Sequence, residues 1–450
     1  MDWKTSLVIG FRVFCRKTSS MKKQKTESKV RIFFPVLVVL SLMSQACNKS
    51  SGSGTKSAAP VAKNETPICS RASAEQASFF QEVDSSASVP GDEPEKSVRN
   101  RHVKVDVAAL KNALLTSHVP LRIDLFDDKQ LEVQVEQVQK ISDRNLIMLG
   151  HVNGEVQNVV TMVLRDDVLV ANLHQDHTRY EIKFRGKGIH SIHQFTAFDS
   201  EDCLTAAPPH PRVDEPIDSR AEAGSVPVID ILVAYTPGAK ASVGGVKAMK
   251  ALIQMGMADT NRAFQNSGVA LAARLVGTME LSQNDTNDFS VDLGRLQNSY
   301  DGFWDEVHSE RARLGASQVT VVGVYPNNNV NGIGYIRAAA DSAFTVVKAS
   351  AFGVYSFTHE LGHNVGLNHS DGMENPSGGF RTIMAYGSYP RIPRFSNPQL
   401  TFENYWTGAI DHDSARILNA SGSYTAHLVP HRIGFSPAVP VYTPPPATCQ

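Results

Sequence analysis

The chain has 450 residues, of which 42% are hydrophobic and 20% charged, and its formal net charge is −1. This length is enough for two domains with flanking segments. A net charge so close to zero gives no basis for electrostatic attraction to polyanions, so we expect no binding to nucleic acid and no electrostatic binding to an anionic membrane.

An export signal is the first element along the chain. From Met21, basic residues come first, then an apolar run from Ile32 to about Met43, then small residues before Cys47. This run is too short to span a bilayer and is typical of a signal peptide. The residues before Cys47 also resemble a bacterial lipoprotein cleavage site, which would make Cys47 a lipidated N-terminus; ordinary secretion is the alternative. Both interpretations predict export, as a cell-surface or outer-membrane lipoprotein or as a freely secreted protein.

Alternating polar and apolar residues predict a β-rich region after this signal. Segments with a period of two residues recur between turns rich in Asp, Gly and Asn, at 121–126, 131–135, 159–164, 168–173 and 180–184. The region carries no catalytic constellation. It ends at a Pro-rich, charged break, which is typical of an exposed linker open to proteolysis.

A second domain begins at Val228 with a nearly continuous apolar run, typical of a buried strand. The segments that follow are predicted as helices at 245–265 and 291–313 and as strands at 271–276, 319–324 and 332–336. This order predicts an α/β (α+β) domain with a mixed, mostly parallel sheet. The tail after it is Pro-rich and expected to be extended.

These observations divide the chain into an upstream extension at 1–20, a signal peptide at 21–46, a lipid-anchored or flexible tether at 47–68, a β-rich region at 69–204, a linker with the processing site at 205–225, the second domain at 226–429 and the tail at 430–450. Once Cys15 and Cys47 are assigned to the N-terminal segments, Cys69, Cys203 and Cys449 remain. None lies in the second domain, so that domain is expected to depend on its core rather than on disulfides.

The sequence THELGHNVGLNH in the second domain is a metal-binding pattern. On a helix, His359 and His363 project from the same face, so both imidazoles can bind one ion. Gly366 can adopt a left-handed conformation that ends the helix, and the turn brings His369 round as a third ligand. Three neutral histidines leave a fourth coordination position open, as in catalytic zinc sites. Glu360 beside them is the candidate base that activates water.

The downstream sequence RTIMAYG, together with this longer motif, resembles the metzincin zinc peptidases, in which a methionine turn runs beneath the three histidines. The resemblance implies that Met384 supports the site as an apolar floor without binding the ion. In astacin-like and serralysin-like members, the tyrosine two residues after the methionine stabilises the oxyanion. Tyr386 is therefore a candidate for that role, and a purely structural tyrosine is the alternative.

Nearly half of the chain, 228–428, resembles the bacterial peptidyl-Asp metallopeptidases, a reprolysin-like branch. The matching sequences include IDILVAYTPGAK, ADTNRAFQNSGV, DEVHSERARLGAS, NGIGYI, RTIMAYGSYPRIPRFSNP and DHDSARILN. The resemblance implies an endopeptidase with one catalytic zinc ion, which acts on protein or peptide substrates and favours acidic residues next to the scissile bond. The chain departs from the family's pattern at Ser370, where Asp is usual, and at Asn331, where a cysteine is common.

The same resemblance implies that an extended substrate pairs with the edge strand formed by Gly332, Ile333, Gly334 and Tyr335. Unpaired backbone groups on such an edge can bind a peptide as one more strand; an ordinary capped edge is the alternative. Arg391 and Arg394 are the candidate partners of an acidic substrate side chain, because a guanidinium pairs with a carboxylate in a bidentate manner. Solvated surface arginines are the alternative interpretation.

The β-rich region looks like a propeptide, and Cys203 at its end is a candidate latency switch. A thiolate could fill the open position on the ion until the linker is cut. A disulfide with Cys69 or Cys449, or a simple free thiol, is the alternative.

Two rival functions remain. One is a zinc hydrolase acting on something other than protein, and the other is a catalytically dead metzincin-fold surface binding lipoprotein, although a dead enzyme would be expected to lose Glu360 or a ligand. We expect a monomer, and calcium binding has no support in the sequence.

Overall fold

The computed structural model describes residues 78–83, 97–116, 119–196, 203–210 and 226–430, all within one compact unit. The predicted upstream extension, the signal peptide, the tether with Cys47 and the tail beyond residue 430 lie outside these residues. Cys69 and Cys449 lie outside them as well. Within the described ranges, no helix is long and apolar enough to cross a membrane.

A nine-stranded antiparallel sheet, which we call the N-sheet, forms the N-terminal region. Its strands are β1 (Phe80–Glu82), β2 (Arg99–Val105), β3 (Leu121–Phe126), β4 (Lys129–Ser142), β5 (Asn145–Val152), β6 (Val159–Arg165), β7 (Val168–Gln175), β8 (Thr178–Gly186) and β9 (Ile189–Thr196), with α1 (Val107–Thr116) between β2 and β3. The spatial order is β1-β2-β9-β8-β7-β6-β5-β4-β3. All five predicted strands are present. In β3 the alternation corresponds to burial, because Leu121 and Ile123 are buried while Arg122 is exposed, whereas β6 and β7 are buried along nearly their whole length.

The second sheet has six strands in the spatial order β10-β14-β15-β13-β11-β12. They are β10 (Leu204–Ala206), β11 (Val228–Tyr235), β12 (Ala272–Glu280), β13 (Gln318–Gly323), β14 (Gly332–Tyr335) and β15 (Phe344–Lys348). Only the β14–β15 pair is antiparallel among these neighbours. The prediction of a mixed, mostly parallel sheet is therefore confirmed.

Six helices accompany this sheet in the described part of the chain: α2 (Pro237–Ser242), α3 (Val246–Asn266), α4 (Phe289–Gln297), α5 (Glu306–Leu314), α6 (Ser356–Val365) and α7 (Ser414–Ala426). Two short 3₁₀ helices, Ala349–Val354 and His369–Asp371, flank α6. Two hairpins of two-residue strands follow: β16 (Glu374–Asn375) with β17 (Phe380–Arg381), and β18 (Thr401–Phe402) with β19 (Tyr405–Trp406).

The single helix predicted at 291–313 is wrong, because α4 and α5 are separate helices. Asp288 caps the start of α4, where its carboxylate accepts the amides of Ser290 and Val291 at 2.9 and 3.1 Å. Between the helices the chain turns at Asp301, which accepts the amide of Phe303 at 2.9 Å. Such an Asx turn competes with helix and interrupts the apolar periodicity.

Helix α3 lies between the two sheets and contacts β6 and β7 on one side and β12 on the other. The central apolar core around it contains side chains from both halves, such as Val163 of the N-sheet and Phe357 of α6. The N-sheet has a further core with α1, and the second sheet has one with α4 and α5. Each sheet thus has a core of its own, and α3 joins the two.

Candidate metal centre

Helix α6 carries two of the predicted ligands, and all of its residues are buried. The preceding residue, Tyr355, has φ 62°, and its carbonyl accepts the amide of His359 at 2.9 Å. Gly366 ends the helix with φ 135°, a conformation that side chains disfavour. Its amide bonds back to the carbonyls of the preceding turn, including that of His363 at 2.9 Å. The chain then reverses and brings His369 back to the helix, as the sequence predicted.

The three histidine rings meet at their Nε2 atoms. His363 Nε2 lies 3.0 Å from His359 Nε2 and 3.1 Å from His369 Nε2. Backbone carbonyls hold the opposite nitrogens: His359 Nδ1 donates to Ile383 O at 2.6 Å, and His363 Nδ1 donates to Leu367 O at 2.7 Å. Since a carbonyl can only accept, both Nδ1 atoms carry the proton and both Nε2 atoms present lone pairs to the centre.

Cys203 brings a fourth donor atom to the same point. Its Sγ lies 2.9, 3.5 and 3.0 Å from the Nε2 atoms of His359, His363 and His369. The four donor atoms all lie within 4.8 Å of one another, and the sulfur is buried and forms no disulfide with a described residue. The sulfur thus completes a set of four donors around one point.

The chemistry of these donors fits a cation. Lone pairs this close repel one another unless positive charge lies between them. Burial is the main cause that lowers the pKa of all three rings, that of His363 to about 3 and that of His369 to about 4. The rings therefore stay unprotonated near neutral pH, and no added proton relieves the repulsion between their lone pairs. Three imidazoles and one thiolate are a donor set that suits zinc.

Glu360 lies beside this cluster and is fully buried. Burial raises the pKa of its carboxyl well above the usual value, while a hydrogen bond with Cys203 and the positive charge of Arg391 oppose that rise. The carboxyl group lies against β14. A Cβ on Gly332 would come within 2.7 Å of Glu360 Oε1, and one on Gly334 within 3.3 Å of Oε2. These two glycines make room for the carboxyl group.

The segment after β17 supports the cluster from below and from one side. Met384 is fully buried, and a Cβ on Gly362 of α6 would come within 2.9 Å of its sulfur. The ring of Tyr386 stacks on His369 with 3.8 Å between centroids. Its hydroxyl donates to the carbonyl of Cys203 at 2.5 Å. Both residues therefore lie where the sequence analysis expected them.

The predicted edge strand exists as β14, but β10 occupies its edge. The two strands pair in parallel, with the partners Leu204–Ile333, Thr205–Gly334 and Ala206–Tyr335. Because β10 directly follows Cys203, one continuous segment supplies the fourth donor and covers the backbone of β14. The sequence analysis missed this strand and assigned Thr205 and Ala206 to the linker. In the sequence, the only indication of this strand is that its three residues directly follow Cys203, the candidate latency switch.

The two candidate arginines have different environments. Arg391 is buried and donates to the carbonyl of Val354 at 3.1 Å. Its charge contributes to the lowered pKa of each ligand histidine, so it lies close to the cluster. Arg394 donates to the carbonyl of Asn266 at 2.5 Å and lies 5.7 Å from the ring centroid of Phe402. The structure brings Arg391 to the metal centre and engages Arg394 at the end of α3.

Metallopeptidase sites share an arrangement of two helical histidines with a glutamate between them, a third histidine after a glycine turn and a buried methionine beneath, and the residues described above have this arrangement. Residues 225–410 match the sequence model of metallopeptidase family M12B, reprolysin-like. This segment of the chain therefore resembles that family.

The chain is also similar to curated bacterial proteins. It is 33% identical over 224 residues to the peptidyl-Asp metalloendopeptidase of Stenotrophomonas maltophilia (strain R551-3), covering 44% of this chain and 52% of that protein. It is 31% identical over 234 residues to the protein of that name from Xanthomonas campestris pv. campestris, covering 46% and 54%. The chain thus spans about half the length of the curated relatives it matches. Among solved structures, metalloproteinase-II from Bacteroides fragilis matches with a TM-score of 0.41 and 10% identity. The match covers 63% of this chain and 90% of that one, and it is too distant to support any conclusion.

Proposed function

We propose that this chain is an exported, zinc-dependent endopeptidase that hydrolyses peptide bonds in proteins and is made as a latent zymogen. One observation carries the proposal: three histidine lone pairs converge on one point beside the fully buried carboxyl group of Glu360. The family match of residues 225–410 and the names of the relatives point to the same chemistry. The basic-then-apolar N-terminal pattern supports export, either as a lipoprotein or as a secreted protein.

In this proposal, residues of α6 and of the turn after it have separate roles. His359, His363 and His369 hold the zinc ion, and the carbonyl bonds of two Nδ1 atoms fix the tautomer that binds it. When bound, zinc polarises the scissile carbonyl and makes the attacking water more acidic. Glu360 takes the proton of that water and returns it to the leaving amine.

Tyr386 is the proposed donor to the oxyanion. Its ring rests on His369, and its hydroxyl already points at a carbonyl oxygen, that of Cys203. Once that carbonyl leaves, the same hydroxyl is free to donate to the tetrahedral oxygen that develops on a substrate.

Replacement of Glu360 tests the chemistry directly. Glu360→Gln keeps the side-chain volume but removes the base, so the activated protein should retain one zinc ion per chain and lose about 100- to 10,000-fold in casein hydrolysis. Glu310→Gln, at an exposed ion pair with Arg313 on α5, is the matched control and should hydrolyse casein at the normal rate. Hydrolysis by Glu360→Gln at the wild-type rate would refute the assignment.

Latency is proposed to arise from Cys203 and β10. The sulfur takes the position that a catalytic zinc site leaves open, and β10 takes the edge where a substrate strand would pair. The uncut Cys203→Ser chain should therefore be more active than the uncut wild-type chain, although β10 still covers the edge of β14 in both. After substitution of cobalt for zinc, the wild-type chain should show a thiolate-to-metal absorption band that Cys203→Ser lacks. Full latency of the variant, or the same band in both proteins, would remove Cys203 from the mechanism.

Arg391 is proposed to recognise an acidic residue next to the scissile bond, as the name of the relatives indicates for those proteins. A buried guanidinium near the metal centre can pair with a substrate carboxylate. Arg391→Gln should lower the ratio of kcat/KM for Asp-containing over matched Asn-containing peptides by about 10- to 150-fold. Arg394→Gln is the control and should leave that ratio unchanged. An unchanged ratio in Arg391→Gln would assign the preference elsewhere.

A further inference from the structure

The N-sheet packs against α3 through polar groups that are buried between the sheet and the helix. Arg262 of α3 is 4% exposed and donates to the carbonyls of Gly150 and Val160, each at 3.0 Å. It also pairs with Glu136 of β4 at 3.0 Å. These three hydrogen-bond and ion-pair partners all belong to the N-sheet, while the charge of Arg262 also interacts with Asp259 on α3 itself.

Asp259 lies one turn before Arg262 on α3 and is 3% exposed. Its carboxylate accepts the hydroxyl of Thr161 of β6 at 2.6 Å. A buried carboxylate is costly unless it is hydrogen-bonded. Departure of the N-sheet would therefore remove the partners of two charged groups at once, which opposes departure until water replaces them.

A second contact lies at the start of the metal-binding helix. Asn172 of β7 donates to the carbonyl of Gly353 at 3.1 Å, and the ring of His174 stacks on Tyr355 with 5.4 Å between centroids. Tyr355 is the residue that directly precedes α6. The N-sheet thus contacts α3 and the N-terminal end of α6, at a distance in sequence from the segment that covers β14.

Apolar packing fills the space around these polar contacts. The N-sheet contributes five buried side chains to the central core that it shares with α3 and α6, namely Ile147, Val163, Val168, Val170 and Phe184. Burial of these side chains favours continued association of the two parts, because it removes apolar surface from water.

We propose that the N-terminal fragment stays bound to α3 as a noncovalent inhibitor after the chain is cut within 211–225, with Cys203 and β10 still in the metal centre. This inference rests on the proposed function. Every contact named above, and the β10–β14 pairing, is made by residues that precede the cut, so the cut itself breaks none of them. Activation then requires a second event, which is dissociation or digestion of the N-sheet.

The test uses the full chain with a specific protease site inserted within 211–225. After cutting, the two fragments are followed by gel filtration, and peptide hydrolysis is measured over a dilution series. We expect the fragments to co-elute at micromolar concentration and the activity per molecule to rise on dilution, while the uncut chain stays inactive at every concentration. Separation with full activity directly after the cut, or co-elution with full activity, would overturn the proposal.

Interface variants locate the attachment. Arg262→Met removes the three contacts to the N-sheet and should raise the concentration of half-maximal activation at least about 30-fold. Lys247→Ala removes an exposed pair with Asp167 of the N-sheet (2.7 Å) and should shift it less than about fivefold. Thr161→Val weakens the same interface without changing the sequence of the second domain, and it should also raise the concentration of half-maximal activation. Equal shifts for Arg262→Met and Lys247→Ala would overturn the assigned interface.

The outcomes for the two proposals can be told apart. If the fragments separate on dilution and the zinc-loaded second fragment hydrolyses no peptide, the endopeptidase proposal fails while the docking stands. If hydrolysis appears at once and in full after the cut, the endopeptidase proposal stands and noncovalent inhibition fails.

Discussion

Buried histidines occur in both halves of the molecule, but their ring nitrogens have different partners. In β9, His190 Nε2 accepts the amide of Leu169 at 3.0 Å, and His193 Nε2 lies 3.0 Å from the guanidinium of Arg185. In α6, the Nε2 atoms of His359 and His363 lie 3.0 Å from each other, and neither can donate to the other.

The difference separates a structural from a functional histidine. A ring nitrogen whose lone pair already meets a protein donor needs no cation, as for His190 Nε2 in β9. Rings whose lone pairs meet only one another and a thiol are suited to hold a cation, as in α6. Burial by itself does not distinguish the two groups, because His190 and His359 are both 1% exposed.

The largest expected effect comes from replacing one of the converging histidines of α6. His363→Gln removes one of the converging nitrogens and should abolish stoichiometric zinc binding and all detectable hydrolysis. His190→Gln is the matched variant in the N-sheet and should keep full zinc content in the folded chain. Metal analysis of both purified proteins checks the prediction. Zinc retained by His363→Gln, or lost from His190→Gln, would contradict the division drawn here.

Aromatic rings stack on a histidine in both halves, which allows a second test. Phe195 stacks on His193 at 5.9 Å between centroids, and Tyr386 on His369 at 3.8 Å. Only the tyrosine carries a hydroxyl, so Tyr386→Phe keeps the stack but removes the proposed oxyanion donor. We expect kcat of the activated enzyme to fall about 100- to 1,000-fold with KM and zinc content little changed. A normal kcat would leave Tyr386 with a structural role.

The metal centre was predictable from the sequence because its ligands lie on one helix and the turn after it. Helical spacing fixes the relation of His359 to His363, and Gly366 fixes the turn that returns His369. The methionine turn and Cys203 were found as candidates for the same reason, since each is a short local signal.

Contacts between distant elements were not predictable. Asp259 and Arg262 belong to the polar side of an amphipathic α3, and nothing in their local sequence indicates that a second sheet buries them. The pairing of β10 with β14 joins residues more than a hundred positions apart through a strand too short to show a period. The approach of Glu360 to β14 was likewise hidden, although the two glycines of GIGY were noticed.

Those glycines give the third prediction. A methyl group on residue 332 would overlap the carboxyl group of Glu360, so Gly332→Ala should displace the base and lower kcat/KM about 100-fold while zinc stays bound. Gly294→Ala in α4 is the control, because a Cβ there meets nothing within 4 Å. It should leave the kinetics unchanged and stabilise the chain slightly. Equal activity of the two variants would show that the Glu360 position tolerates the methyl group.

The smallest effect concerns pH and the histidine of the N-sheet. Burial lowers the pKa of His190 to about 4, and the backbone of Gly188 and the charge of Asp167 oppose this only partly. In the unfolded chain the group titrates near its ordinary value of about 6.5. Its neutral form therefore contributes stability above that value, and the contribution is lost as the pH falls toward 4.

Between pH 7 and pH 5 this single group should cost about 2 kcal/mol of the free energy of unfolding. His190→Gln cannot take up the proton, so its stability should fall by about that much less over the same interval. Urea unfolding of both proteins at the two pH values, monitored in the N-sheet, gives the difference directly. Other titrating groups are shared by the two proteins and cancel. The same pH dependence in both would mean that His190 is not held neutral by burial, and the distinction between the two kinds of histidine would lose its electrostatic support.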